Sequence, residues 1–395
     1  MFTKTEFRLL WPFYLFHVCM GLFFVTVPFF VVYYQSRGLS LAQIASLWAF
    51  MSLARLIFEL PTGVVADVFG RKISVIIGFF GANLFWMLIP LTWSYESLLA
   101  VVICIAICQT FITGAFDAWA YDWLKFNHAK NFAKHYFAKK QFFTLVGAVI
   151  GPLIGAVLAT QMPLGYLWFI EGAGGILITF ILVFYAKEHF VRHKANLTQH
   201  ARKLMKTTIE GVLFTFKHHQ LALLTIASLS LGGWMVIEEL AQQPLLVSLG
   251  MSVPSLGVFV SILSVAIALV SLGGLWFFGH VKEKTLFVIL SSVMLVLGMS
   301  LVLAKNYLLA GAILIGVCML FFMQLPLLTA RMNHLIPSRI RATIGSAQSV
   351  LTQVMYIAVI LAGGWIVDIV GPQTGLVLAS LFFIPGIIAF ALMKK

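Results

Sequence analysis

Thirteen acidic residues are spread through a 395-residue chain, and several stand inside long apolar runs. Asp117 and Asp122 lie near one end of such a run, Glu171 in another, and the neighbours Glu238 and Glu239 in a third. A carboxyl group held in a low-dielectric cavity can exchange its proton near neutral pH. That is the chemistry of proton coupling, and Asp117, Glu238, Glu239 and Glu171 are its candidates. Adjacent helical residues point about 100° apart, so at most one of Glu238 and Glu239 faces a cavity squarely. Arg55 and Glu59 stand one helical turn apart, placed either to neutralise each other or to gate and receive an anionic group. His17 could titrate, bind substrate or hydrogen-bond across helices. With Asn83, Gln109, Trp119, Tyr121, Trp234, Gln324, Gln353 and Tyr356, these three residues form the candidate lining of a substrate pocket.

The elements that must carry these groups are membrane helices. The chain is 61% hydrophobic and 10% charged, against about 25% charged in soluble domains, and its mean hydropathy is +1.02. Apolar runs long enough to cross a bilayer recur at about 9–34, 41–63, 73–93, 97–123, 140–161, 164–186, 220–248, 254–278, 285–304, 307–330, 342–367 and 373–393. The reading is an all-α membrane protein of 12 transmembrane helices in two six-helix bundles. The first bundle covers 1–186 and the second 220–395. Between them, 187–219 is a basic linker in which Leu204, Ile209, Leu213 and Phe216 predict an amphipathic helix on the membrane surface.

A net charge of +13 invites a nucleic-acid partner, but its distribution excludes that reading. Of the 26 Lys and Arg residues, all but Arg37, Arg55 and Lys305 fall at the termini or in alternate connections. This asymmetry predicts both termini in the cytoplasm and basic loops facing anionic lipid. The first apolar run outlasts a secretory leader and is read as a span. The four cysteines lie within spans and imply no disulfide framework and no metal. No Walker A, G-x-S-x-G or H-E-x-x-H pattern occurs, so neither an enzyme nor a bound cofactor is expected.

Gly63-Val64-Val65-Ala66-Asp67-Val68-Phe69-Gly70-Arg71-Lys72 is the shortest polar break between long runs in the first half. Its G-x-x-x-D-x-x-G-R-K pattern between the second and third spans resembles motif A of the major facilitator superfamily. Asp67 could cap the following helix or pair with Arg71. The halves repeat: Gly38-Leu39-Ser40 returns 212 residues later as Gly250-Met251-Ser252. The stretch from Gly274 to Lys284 then takes the place of the motif, with Phe278 or Gly279 where Asp67 would stand. In the fifth span, Gly147, Gly151, Pro152 and Gly155 flatten one helix face and resemble motif C, which marks exporters of the drug:proton antiporter type. The resemblance covers essentially the whole chain.

The resemblance implies a parallel pseudo-repeat, with substrate bound between the halves. It also implies an inner charge latch of Asp67, Arg71, Asp122 and Arg341. The function expected is secondary active transport in a bacterial inner membrane: proton-coupled efflux of a small amphipathic organic compound by alternating access, from a monomer. Uptake of a metabolite or siderophore is the rival within transport. A transport-inactive receptor or assembly factor is the rival outside it.

Overall fold

A computed structural model of the chain describes residues 3–22, 24–189, 197–277 and 282–394, the side chains of 197–204, 272–277 and 342 excepted. Arg192 and Lys194 of the linker, the side chains of Arg202, Lys203 and Leu204, and Phe278 and Gly279 of the repeated turn lie outside the described set. Among the described residues there is no strand.

Among the described residues sixteen α-helices follow one another. The first half holds α1 (Lys4–Leu22), α2 (Phe30–Ser36), α3 (Leu41–Phe69), α4 (Arg71–Leu88), α5 (Tyr95–Thr110), α6 (Ala115–Phe126), α7 (Ala133–Ala159) and α8 (Gly165–Tyr185). After α9 (Leu197–Lys217) come α10 (His219–Ser248), α11 (Ser255–Phe277), α12 (Glu283–Ser300) and α13 (Tyr307–Leu335). The chain closes with α14 (Arg341–Val370), α15 (Pro372–Ala379) and α16 (Phe383–Leu392). Eleven helical stretches among the described residues are long and apolar enough to cross a membrane, and α11 adds a further apolar helix. In hydrocarbon each backbone polar group must be satisfied within its own segment, which is why apolar runs of this length fold as helices.

The sequence repeat is also a structural one. Gly38 and Gly250 both turn the chain at positive φ, +85° and +96°, where a side chain would be strained. The 3-10 turns Ile89–Leu91 and Leu301–Leu303 close the third span of each half. The next helix is capped by a side chain at matching places, Ser94 accepting from Ser97 N–H and Asn306 from Leu309 N–H.

Two compact units emerge, Met1–Tyr33 with Phe50–His200, and Tyr34–Ala49 with Ala201–Lys395. In the first, α1 packs on α7 and α4 packs on α5 and α8; in the second, α10 packs on α14 and α16, and α11 on α13. The glycine face of the fifth span explains the closest of these contacts. A methyl group on Gly147 would come within 2.5 Å of the Gly21 Cα, and one on Gly151 within 2.6 Å of the Leu22 carbonyl. Gly155 meets the Val25 backbone in the same way, and Pro152 is buried within α7. The linker helix α9 leaves Met205, Ile209, Leu213 and Phe216 exposed on one side. Its other side sets Gly211 against Thr343 and Ala347 of α14.

Candidate functional site

The first unit gathers titratable groups from three helices. The fourth span breaks after α5, and Gly114, at φ +74°, starts α6 so that Asp117 falls in its first turn. An acid there is favoured by the positive end of the helix dipole. On α7, Tyr136, Lys140 and Thr144 repeat every fourth residue and so share a face. Lys140 forms an ion pair with Asp117, and the Tyr136 hydroxyl donates to the same carboxylate at 3.3 Å. His17 of α1 joins from the far side, its Nε2 3.2 Å from the Tyr136 oxygen and its Nδ1 3.4 Å from the Thr144 hydroxyl. The chain of contacts runs Lys140, Asp117, Tyr136, His17, Thr144. One end is open, since the Asp117 side chain is 40% exposed, whereas Tyr136 is buried. Phe116 stacks on Phe16 at 3.9 Å and meets the His17 ring edge-on, which fixes the wall behind the imidazole.

The break at Gly63–Lys72 is organised by a residue absent from the sequence expectation. Asp67 lies in the last turn of α3, so it cannot cap α4, and it makes no hydrogen bond or ion pair with any described residue. Glu188 takes that role instead, accepting from the Arg71 N–H at 2.7 Å and the Lys72 N–H at 3.0 Å. The turn needs Gly70 at φ +107°. Arg71 pairs with Asp122 and also donates to the Ala118 carbonyl at 3.0 Å, while Lys72 donates to the carbonyls of Val183 and Ala186. Gly63 faces open space, and Arg341 opens α14 with its side chain exposed. In the second unit the pair returns with its signs exchanged. Glu283 begins α12 as Arg71 begins α4, and it meets Arg331 of α13 at 3.6 Å.

The remaining candidates divide between packing and open surface. Glu171 is buried and accepts from both the backbone and the hydroxyl of Thr26. Glu238 is buried too, taking the Gln242 amide, whereas Glu239 is exposed and accepts from the Tyr356 hydroxyl at 3.3 Å. Arg55 donates to Gln109 at 2.8 Å, and Glu59 and Tyr121 are exposed. Four expected pocket residues are core instead. Trp119 is fully buried and donates to the Lys187 carbonyl. Asn83 is tucked against Gly175 and bonds its own helix at Phe79, and Gln324 bonds Ser291 and the Met294 sulfur. Trp234 is fully buried beside Phe383. Gln353 is half-buried on α14.

Next to Gln353 in sequence, the second unit opens a polar cavity of about 180 Å³ between α10, α13 and α14. Thr225, Ser228, Thr329, Asn333, Gln348 and Thr352 line it, none of them charged. The Thr225 hydroxyl and the Gln348 amide nitrogen are buried there with no hydrogen-bond partner among the described residues. Hydroxyls and amides on apolar helices carry no periodic signal, which is why the sequence did not single them out. Among the described residues no cluster of His, Cys, Asp or Glu is arranged to hold a metal ion.

Repeated bundles of helices long and apolar enough to cross a membrane, with ion pairs and a polar cavity among them, define a polytopic membrane protein. The sequence pattern of the Major Facilitator Superfamily matches residues 13–362, and the chain belongs to that superfamily. Over 102 residues it is 34% identical to the uncharacterized MFS-type transporter YxaM of Bacillus subtilis (strain 168), a stretch that spans 26% of this chain and 25% of that protein. The crystal structure of the nucleoside transporter NupG superposes with a TM-score of 0.75 at 14% identity, covering 97% of this chain and 98% of that one. The structure of a D-xylose-proton symporter gives 0.67 at 14%, covering 95% and 97%. These likenesses show the twelve-helix fold. The chain is a multi-pass membrane protein of this superfamily, aligned with about a quarter of the length of its curated relative YxaM.

Proposed function

We propose that this transporter exports a small amphipathic organic compound from a bacterial cytoplasm in exchange for protons, by alternating access. The observation that carries the reading is the Asp117 network. A half-exposed carboxylate holds Lys140 by charge and Tyr136 by a hydrogen bond. A proton arriving on Asp117 removes the charge that retains Lys140, so protonation and side-chain rearrangement are coupled without any further group. The second unit's cavity, lined by uncharged donors and acceptors together with Leu229 and Met332, supports an amphipathic substrate. The Arg71–Asp122 pair and its sign-reversed counterpart Glu283–Arg331 serve as inner latches that break as the carrier cycles.

Inverted vesicles under an imposed pH gradient test direction and coupling together. Accumulation of an amphipathic compound that depends on an acidic lumen supports export in exchange for protons. Accumulation driven by the opposite gradient supports uptake by symport, the arrangement named for the D-xylose-proton neighbour. Flux independent of either gradient removes proton coupling from the account.

A further inference from the structure

The transport reading makes no use of a cavity at the basic end of α12 and α16. Its volume is about 700 Å³, and it opens between the first turns of α12 and the last turn of α16, with Arg331 of α13 at its edge. Lys282, Lys284, Arg331 and Lys394 surround it, against one acid, Glu283. Two of these cations are engaged: Lys284 donates to the Met393 carbonyl at 2.8 Å, and Arg331 pairs with Glu283. The ammonium groups of Lys282 and Lys394 make no hydrogen bond or ion pair with any described residue.

The other wall of the cavity is apolar, formed by Val288, Ile289 and Ala391. From it an exposed apolar row leads away along each helix. Ile289, Val293 and Val296 continue on α12, and Leu392, Ile388 and Ile384 on α16, at the three- and four-residue spacing of a single helix face. The two helices pack side by side, so the rows run together from the cavity toward the opposite membrane face. Cations at the head of paired apolar tracks fit a molecule with an anionic head and long hydrocarbon tails. Inorganic phosphate would satisfy the lysines and leave the tracks bare.

We propose that this cavity binds an anionic phospholipid, its phosphate between Lys282 and Lys394 and its acyl chains along α12 and α16. The distribution of basic residues assigns this end to the cytoplasmic leaflet, where anionic headgroups concentrate and juxtamembrane lysines each add to the attraction. The bound headgroup lies beside the Glu283–Arg331 pair, so the lipid would shift the same pair that the carrier must break. The proposal is independent of substrate and direction of transport.

Native mass spectrometry of the purified full chain tests it, with palmitoyl-oleoyl phosphatidylglycerol, the matching phosphatidylcholine and inorganic phosphate as probes. The wild type retains phosphatidylglycerol in preference to phosphatidylcholine, and millimolar phosphate does not displace it. The double variant Lys282→Gln, Lys394→Gln loses about thirtyfold in affinity for phosphatidylglycerol, the share of two lysines near an anionic headgroup. Glu283→Gln, which removes the one acid among the described lining residues, tightens the same lipid. Equal retention of the two lipids, an undiminished double variant, or displacement by phosphate alone would each overturn the assignment.

Discussion

Asp368, in the last turn of α14, accepts hydrogen bonds from the backbone N–H groups of Leu41 and Ala42, both at 2.8 Å. It thus caps a helix 326 residues earlier in the chain. The carboxylate satisfies two of the four donors that the start of α3 leaves unpaired. The same segment brings Ala45 against Gly364, so a charge and a close backbone approach secure Tyr34–Ala49 to the second unit. Asp368→Ala is expected to speed amide exchange at Leu41 and Ala42 about fivefold, the worth of a helix cap. Unchanged exchange at these two amides would remove the cap from the account.

Glu6 is fully buried, and the Lys139 ammonium approaches both its oxygens, at 2.6 and 2.8 Å, while Tyr14 donates at 2.8 Å. Removing one partner of a buried pair leaves an uncompensated charge, at a cost of about 3 kcal/mol. Lys139→Met should therefore lower the unfolding midpoint sharply. The double variant Glu6→Gln, Lys139→Met should recover much of the loss, because it buries no charge. A double variant no better than the single one contradicts this.

The glycines of α7 separate packing from function. Gly147→Leu must collide with the Gly21 backbone, so folded protein should be lost on size-exclusion chromatography. Gly63→Ala meets nothing within 4 Å and should fold as the wild type does. Equal yields of Gly147→Leu and Gly63→Ala would refute the seam between α1 and α7.

How much of this was legible beforehand depends on the separation of the partners. The helices, the 212-residue repeat and the glycine turn at Gly70 follow from local composition, because lipid forces each span to satisfy its own backbone. The cap on α4 did not, since Glu188 lies 117 residues from Arg71 and no local pattern connects them. For the same reason Lys140 was not matched to Asp117, nor Lys139 to Glu6. Asn83 and Gln324 read as pocket residues because a polar side chain in an apolar helix signals need, not direction. Asn83 meets that need on its own helix and Gln324 mainly on α12, so neither reaches an open site.

The second unit's cavity gives a prediction in which stability and transport part company. The Thr225 hydroxyl is buried with no partner among the described residues, so Thr225→Val is expected to leave the unfolding midpoint unchanged or higher. If that hydroxyl binds substrate, the KM for transport should rise about tenfold, the worth of one buried hydrogen bond. A lower midpoint with unchanged KM would mean the cavity is structural.

The central claim is that Asp117 carries the coupled proton. The most direct measurement is substrate-induced proton movement in proteoliposomes, read with a pH-sensitive dye beside substrate counterflow. Asp117→Asn should abolish the proton signal while counterflow, which needs binding and alternation but no net protonation, persists. A proton signal of wild-type size in Asp117→Asn would contradict the account.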